Sequence, residues 1–241
     1  MKFAIFVFFV LVSGSVCGEE SDVEYLFFDE ITSTQAYAIE YGNELLIDPS
    51  QWAVISANYQ THGVGMRGDR WISSCPENIY VTYLCFFPKN KGNLFFYTPL
   101  VVALSITKTL EELGLSPEIK WINDVVVNKK KIAGILCEWI PSDHPEYFIA
   151  LLGVGLNVNM SPEEAEEVDQ PATSIKIESG SINDKDWVFK SLFNNVQHDI
   201  EMLKQDGFSP FKDMVRSKMI DGVDFDNNLA QLMKNQFELD E

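Results

Sequence analysis

The order of strand-like and helix-like runs in this 241-residue chain is compatible with an α+β domain. Three observations carry that reading. Stretches 23–31, 52–59, 78–87 and 147–159 are rich in aromatic and aliphatic residues and end in turn residues, as strands do. Stretches 35–46, 98–113 and 184–206 repeat apolar residues at helical spacing and carry caps or glycine stops. Between them, 117–136 reads as a hairpin with a polar turn at Asn128 and Lys129. At 46% hydrophobic and 22% charged residues, the chain can bury one core and shows no disordered or collagen-like bias. Eighteen basic against 36 acidic residues give a net charge of −18, which repels a phosphate backbone and argues against a nucleic-acid partner.

Lys2 precedes an apolar run, 3–12, and Ser15 and Cys17 suit cleavage after Cys17. Residues 1–18 therefore read as a signal peptide or N-terminal extension, with an apolar core too short for a stable membrane span. Beyond it, Cys75, Cys85 and Cys137 are odd in number and lack metal-ligand spacing. Strand 23–31 ends at Thr32, and Ser33 or Thr34 caps a helix with apolar positions Ala38, Tyr41 and Leu45. Hydroxyls and free backbone N–H groups at a helix start also suit a small polar ligand group.

Strand 52–59 leads into a loop in which Gly63, Gly65 and Gly68 formally match a dinucleotide fingerprint. The stretch from Trp71 to Pro76 shows no helical period, so a Rossmann unit is excluded. There remains a glycine-hinged loop whose Arg67 and Arg70 can order over a phosphate, or an ordinary surface loop. Strand 78–87 is apolar on both faces, as a central strand is. Thr98 and Pro99 open the next helix as cap and first residue; Ala103, Ile106, Leu110 and Leu113 form its buried stripe, and Gly114 ends it.

Strand alternation over 120–124 places Lys120, Ile122 and Asp124 on one face and Trp121 and Asn123 on the other. Lys129 to Lys131 form a basic island in an acidic chain, which reads as an anion site or as a solvated turn. In 147–159, Gly153, Gly155, Asn157 and Asn159 share a face: a floor without side chains that ends in amides, or a bulge. An acidic helical connection follows at 161–168. Helix 184–206 buries Trp187, Phe189, Leu192, Val196, Ile200 and Leu203 and stops at Gly207. Ser209 and Pro210 start another helix reaching about 220, and 223–241 is a polar tail.

The run Lys120-Trp121-Ile122-Asn123-Asp124, followed seven residues on by Lys131-Ile132-Ala133-Gly134-Ile135-Leu136, resembles the core signature of the biotin–protein ligases. Ile122 stands where that family usually has proline. The similarity runs from about residue 25 to 222. It implies an α+β fold with a mixed β-sheet and helices packed on one side, of the class II aminoacyl-tRNA synthetase and biotin-ligase type. It also implies a catalytic domain over 21–222, with 223–241 in place of the small C-terminal β-barrel of many members. No helix-turn-helix repressor unit is expected before 23.

By the same resemblance, ATP and biotin are the substrates, Mg2+ accompanies the ATP phosphates without a protein cage, and biotinyl-AMP is the intermediate. Lys131, Asp124 and Arg67 are the implied catalytic residues. Ser33, Thr34, Gln60, Gly63, Lys131, Gly134 and Gly153 would bind biotin, and Arg67, Arg70, Trp71, Asn123, Gly155 and Asn157 the nucleotide. The family's loop carries arginines where Val64 and Met66 stand here, and Ala172, beside Thr173, Ser174 and Ile175, replaces an aromatic of some members. The implied partner is the biotin carboxyl carrier domain of a carboxylase; the resemblance also allows a homodimer. The expected location is cytoplasmic, or an organelle or the secretory pathway if 1–17 act as a signal. Alternative readings are a lipoate or octanoate ligase and a non-catalytic biotin- or adenylate-binding protein.

Overall fold

A computed structural model describes residues 6–8 and 23–237. The leader-like segment 1–18 therefore lies outside the described residues except for its short strand. Eight strands form one mixed sheet: β1 (Phe6–Phe8), β2 (Val23–Ile31), β3 (Trp52–Gln60), β4 (Ile79–Pro88), β5 (Glu118–Lys120), β6 (Asp124–Val127), β7 (Lys130–Pro141) and β8 (Tyr147–Leu156). Their spatial order is β1-β2-β3-β4-β8-β7-β6-β5. Only β2 and β3 pair in parallel, because a helix, α1 (Thr34–Leu45), carries the chain back between them.

Period-two alternation divides the apolar residues between two faces. Trp52, Val54, Val81 and Tyr83 point to the larger core, covered by α2 (Thr98–Glu112), α5 (Lys185–Asp206), α6 (Lys212–Lys218) and α7 (Phe225–Phe237). Ala53, Ile55, Leu84 and Phe86 point to a smaller core beneath α1. The main helical layer thus lies on one side as expected, and α1 is the helix that crosses to the other. Two short helices, α3 (Pro162–Glu166) and α4 (Ile175–Ser179), lie in the connection after β8.

Several local expectations change. Residues 120–124 are not one strand: 121–123 form the turn of a β5–β6 hairpin in which Lys120 faces Asp124. The face assignment drawn from alternation therefore fails there. Thr98 does not cap α2 through its side chain but donates to the Phe95 carbonyl at 2.7 Å, since a 3-10 segment, Lys89–Tyr97, runs straight into the helix. The apolar stretch Lys89–Glu112 is long enough to cross a membrane, but 67% of its most apolar window is buried inside the domain, as a core helix is. Trp187 is 42% exposed, on the outer side of α5. Of the stretch read as a polar tail, the described residues form α7, with Phe225 and Leu229 buried and the Phe225 ring edge-on to Trp121 at 6.2 Å; 238–241 lie outside the described residues.

Candidate functional site

The site lies on the smaller-core face, where Gly134 of β7, Gly153 and Gly155 of β8 and Thr82 of β4 leave neighbouring strands with little or no side chain. Gly134 of β7 pairs with Gly155 of β8 in one row, and Leu136, Gly153 and Thr82 make the next. Asp124 of β6 pairs with Gly134, so its carboxylate leads the glycine row. A β-bulge between Val125 and Val126 brings Lys131 to the same face. Without it Lys131 would point away from Gly134, three residues on; with it, both Ile132 and Ala133 turn into the larger core. The Lys131 ammonium consequently sits 2.7 Å from Asp124 Oδ1, with 17% and 15% of the two side chains exposed. Its backbone is pinned as well: Lys131 N donates to the Pro171 carbonyl and Thr173 N to the Lys131 carbonyl, both at 2.9 Å.

One wall is the start of α1. Ser33 caps the helix by accepting from Ala36 N at 3.3 Å, and Thr34 N donates to Gln60 Oε1 at 2.9 Å. Gln60 Nε2 in turn donates to Ser73 Oγ at 2.9 Å. The other wall is the glycine loop, which closes into a small hairpin: Val64 bridges Arg70, and Arg67 and Gly68 turn its tip with φ of 63° and 82°. Val64, Gly65 and Met66 face the cavity. Trp71 lays its indole flat on the glycine floor, so that a Cβ at Gly155 would come within 2.2 Å of the ring and one at Gly134 within 2.7 Å. Its Nε1 is buried without a hydrogen-bond partner, and the Lys131 ammonium lies 5.3 Å from the ring centroid. With the indole in place the free volume is about 50 Å³, well below the several hundred typical of ligand pockets.

The structure brings Ser33, Thr34, Gln60, Trp71, Asn123, Lys131, Gly134, Gly153 and Gly155 to one cavity. Asn123 is fixed by two bonds, Nδ2 to the Ile135 carbonyl at 3.0 Å and its own carbonyl to Ile135 N at 2.9 Å. Asp124 reaches the cavity through Lys131, and Gly63 braces the loop by accepting from Trp71 N. Three expected residues stand elsewhere. Arg67 and Arg70 are exposed, at the tip and on the outer strand of the loop hairpin, because the left-handed turn at 67–68 directs the tip to solvent. Asn157 lies beyond the end of β8 and donates to the Thr173 carbonyl at 2.9 Å; it ties the 172–175 segment to the sheet and does not line the floor. Asn159 is likewise used up on Asn183.

Four polar residues around the cavity were not expected: Gln35, Ser73, Thr82 and Glu138. Thr82 is the one threonine among the aliphatic and aromatic residues of β4, and Glu138 continues the Gly134, Leu136 alternation, so both had a signal in the pattern. Among the described residues the cysteines offer no nucleophile: burial pushes the thiols of Cys75 and Cys85 up to about 11 and that of Cys137 to about 12.

Residues 27–157 match the model of the biotin/lipoate A/B protein ligase family. The chain belongs to that family. Among curated relatives of this family member, the bifunctional ligase/repressor BirA of Bacillus subtilis is 27% identical over 189 residues, 78% of this chain and 57% of the relative. This chain therefore spans little more than half of that relative. The biotin–[acetyl-CoA-carboxylase] ligase of Mycobacterium tuberculosis is 31% identical over 126 residues, 51% of this chain and 44% of that one. The solved biotin protein ligase from Aquifex aeolicus in complex with biotin and ATP superposes with a TM-score of 0.66 at 27% identity, covering 81% of this chain and 78% of that chain. A Leishmania major biotin protein ligase, 21% identical with a TM-score of 0.61, shares the fold.

Proposed function

We propose that this family member is an ATP-dependent biotin–protein ligase, which activates biotin as biotinyl-5'-AMP and transfers it to a lysine of a biotin carboxyl carrier domain. The observation that carries the reading is the Lys131–Asp124 pair, 2.7 Å apart, set over the glycine rows of β7 and β8. A carboxylate is a poor electrophile at neutral pH, so joining it to an amine requires activation. In the first step the biotin carboxylate attacks the α-phosphate of ATP, and pyrophosphate leaves. The Lys131 ammonium offsets the charge that accumulates between acyl oxygen and phosphate. In the second step the acceptor amine attacks the mixed anhydride, AMP leaves, and the amine proton has a receiver in Asp124.

The rest of the cavity suits the same substrates. Glycines 134, 153 and 155 leave the sheet without side chains, so that a flat bicyclic head can approach it once the Trp71 ring over Gly134 and Gly155 moves aside, while Ser33, Thr34 and Gln60 supply polar groups for a urea. The Ser33 hydroxyl accepts from Ala36 N and keeps its own proton for a ligand. In this reading Mg2+ enters on the nucleotide phosphates. The relatives named for acetyl-CoA-carboxylase ligation support a carboxylase carrier domain as acceptor, and the use of ATP supports a cytoplasmic location.

The test is biotin-dependent exchange of labelled pyrophosphate into ATP, followed by transfer to a carrier domain. Exchange with biotin and none with lipoate or octanoate is the expected result. Exchange only with lipoate or octanoate would move the protein to the other acyl specificity of its family. Biotin binding without exchange would make it a binding protein.

A further inference from the structure

Glu138 and Gln35 have no part in the chemistry above, yet they meet at the inner end of the cavity. Gln35 is 3% exposed on the first turn of α1 and donates from Nε2 to Glu138 Oε2 at 2.8 Å. Its Oε1 lies 3.1 Å from Thr82 Oγ1, whose one proton it shares with Thr34 Oγ1 at 3.0 Å, and sits so close over the floor that a Cβ on Gly153 would be 2.7 Å away. A primary amide can present either end, and the two ends have opposite recognition. Here the Glu138 side chain settles the matter: its Oε2 takes the amide NH2, so the carbonyl faces Gly153 and Thr82. A carbonyl oxygen has two lone pairs, and Thr82 takes at most one of them.

We infer that Gln35 is a specificity-determining residue: its carbonyl oxygen, held toward the cavity by Glu138 as a positioning residue, accepts a hydrogen bond from an N–H of the acyl head group. The inference rests on the proposed biotin activity and deepens it. A urea ring has N–H groups to give, whereas a dithiolane or a plain acyl chain has none, so the Glu138–Gln35 pair selects for the urea. The selection works from the far end of the molecule, away from the carboxylate on which Lys131 acts. With Glu138→Gln the partner side chain can donate as well as accept, and the Gln35 amide is free to turn its NH2 inward, where it would oppose a urea N–H.

The test compares wild type, Glu138→Gln, and the exchanged pair Gln35→Glu with Glu138→Gln, in which a carboxylate oxygen takes the place beside Gly153 and the new amide donates to it. The expected result is a rise of about tenfold in KM for biotin in the single variant, the weight of one hydrogen bond lost. Its kcat and its KM for ATP stay within a factor of two, and the exchanged pair returns the biotin KM to within threefold of wild type. An unchanged biotin KM in Glu138→Gln, or a failure of the exchanged pair to recover while its Tm equals that of wild type, overturns the assignment.

The free protein gives a second reading that needs no ligand. The side-chain amide resonances of Gln35, identified by their loss in Gln35→Glu, should shift in Glu138→Gln, and unmoved signals would overturn the assignment. If the wild type neither binds nor activates biotin, the proposed function and the urea contact fail together, while these resonances still report whether Glu138 orients Gln35.

Discussion

Replacing Lys131 by methionine tests the proposed chemistry most directly, because methionine keeps the apolar stem and removes only the charge. At 2.7 Å from Asp124, the pair attracts by roughly 6 kcal/mol at an effective dielectric near 20. Desolvation offsets most of that. Cutting one partner of a fully buried pair costs about 3–5 kcal/mol. Here 17% and 15% of the side chains remain exposed and Asp124 keeps the Lys120 ammonium at 4.0 Å, so the carboxylate left behind should cost about 1–2 kcal/mol, or roughly 2–8 °C in Tm for a domain of this size. The catalytic loss should be larger and independent of that. Removing a charge-stabilising donor lowers the rate on the order of 100- to 1000-fold. Pyrophosphate exchange and thermal unfolding are to be measured on Lys131→Met and on Lys131→Met with Asp124→Asn. The second variant removes the charge that Lys131 no longer balances, so Tm should return while exchange stays depressed. Exchange above a tenth of wild type in the single variant, or recovery of exchange together with Tm in the double one, would refute an electrostatic role for Lys131.

Gly153→Ala should weaken biotin binding at least tenfold in calorimetry, since the added Cβ would lie 2.7 Å from Gln35 Oε1 and 3.1 Å from the Leu136 carbonyl, neither of which can retreat. Gly155→Ala meets the Trp71 ring first, which sits on a glycine-hinged loop, so its Tm should fall by less than that of Gly153→Ala. Restoring charge to the rim with Met66→Arg should slow release of biotinyl-AMP by about tenfold, the worth of one charge-assisted contact, as followed by quenched-flow dissociation of labelled adenylate. Phe225→Ala should cost about 3 kcal/mol in urea unfolding, because that ring is 4% exposed and packs on Trp121; a change under 0.5 kcal/mol would mean that α7 is not docked. Alkylation of Cys75, Cys85 and Cys137 should be negligible at pH 8 and appear only as the pH nears 11, because their raised values keep the thiols protonated below it. Peptide mapping after iodoacetamide reads this out.

Much of the site could be read along the chain, for a local reason. The caps at Ser33, the turn at Asn128 and Lys129 and the glycine spacing at 153 and 155 depend on backbone chemistry within a few residues. The alternation assigned to 120–124 failed where a turn was mistaken for strand, since Trp121 and Ile122 have strand-forming side chains but pack against α7 and its neighbours. The 223–241 stretch seemed polar because only one side of α7 is apolar, and that side gains its burial from Trp121, about a hundred residues earlier in the chain. Glu138 and Gln35 stand 103 positions apart, so no local pattern could couple them.

By itself the sequence determined the inventory: an acidic one-core domain with strands and helices in their order, a glycine floor, a basic turn and the family signature. Only the folded chain decided which of these meet. The deciding feature is the bulge between Val125 and Val126, because strict alternation sends Lys131 to the opposite face from Gly134. One extra residue in β7 turns the ammonium onto Asp124 and the glycine rows, and such an irregularity is fixed by packing Ile132 and Ala133 together into the larger core, not by the residues at the site.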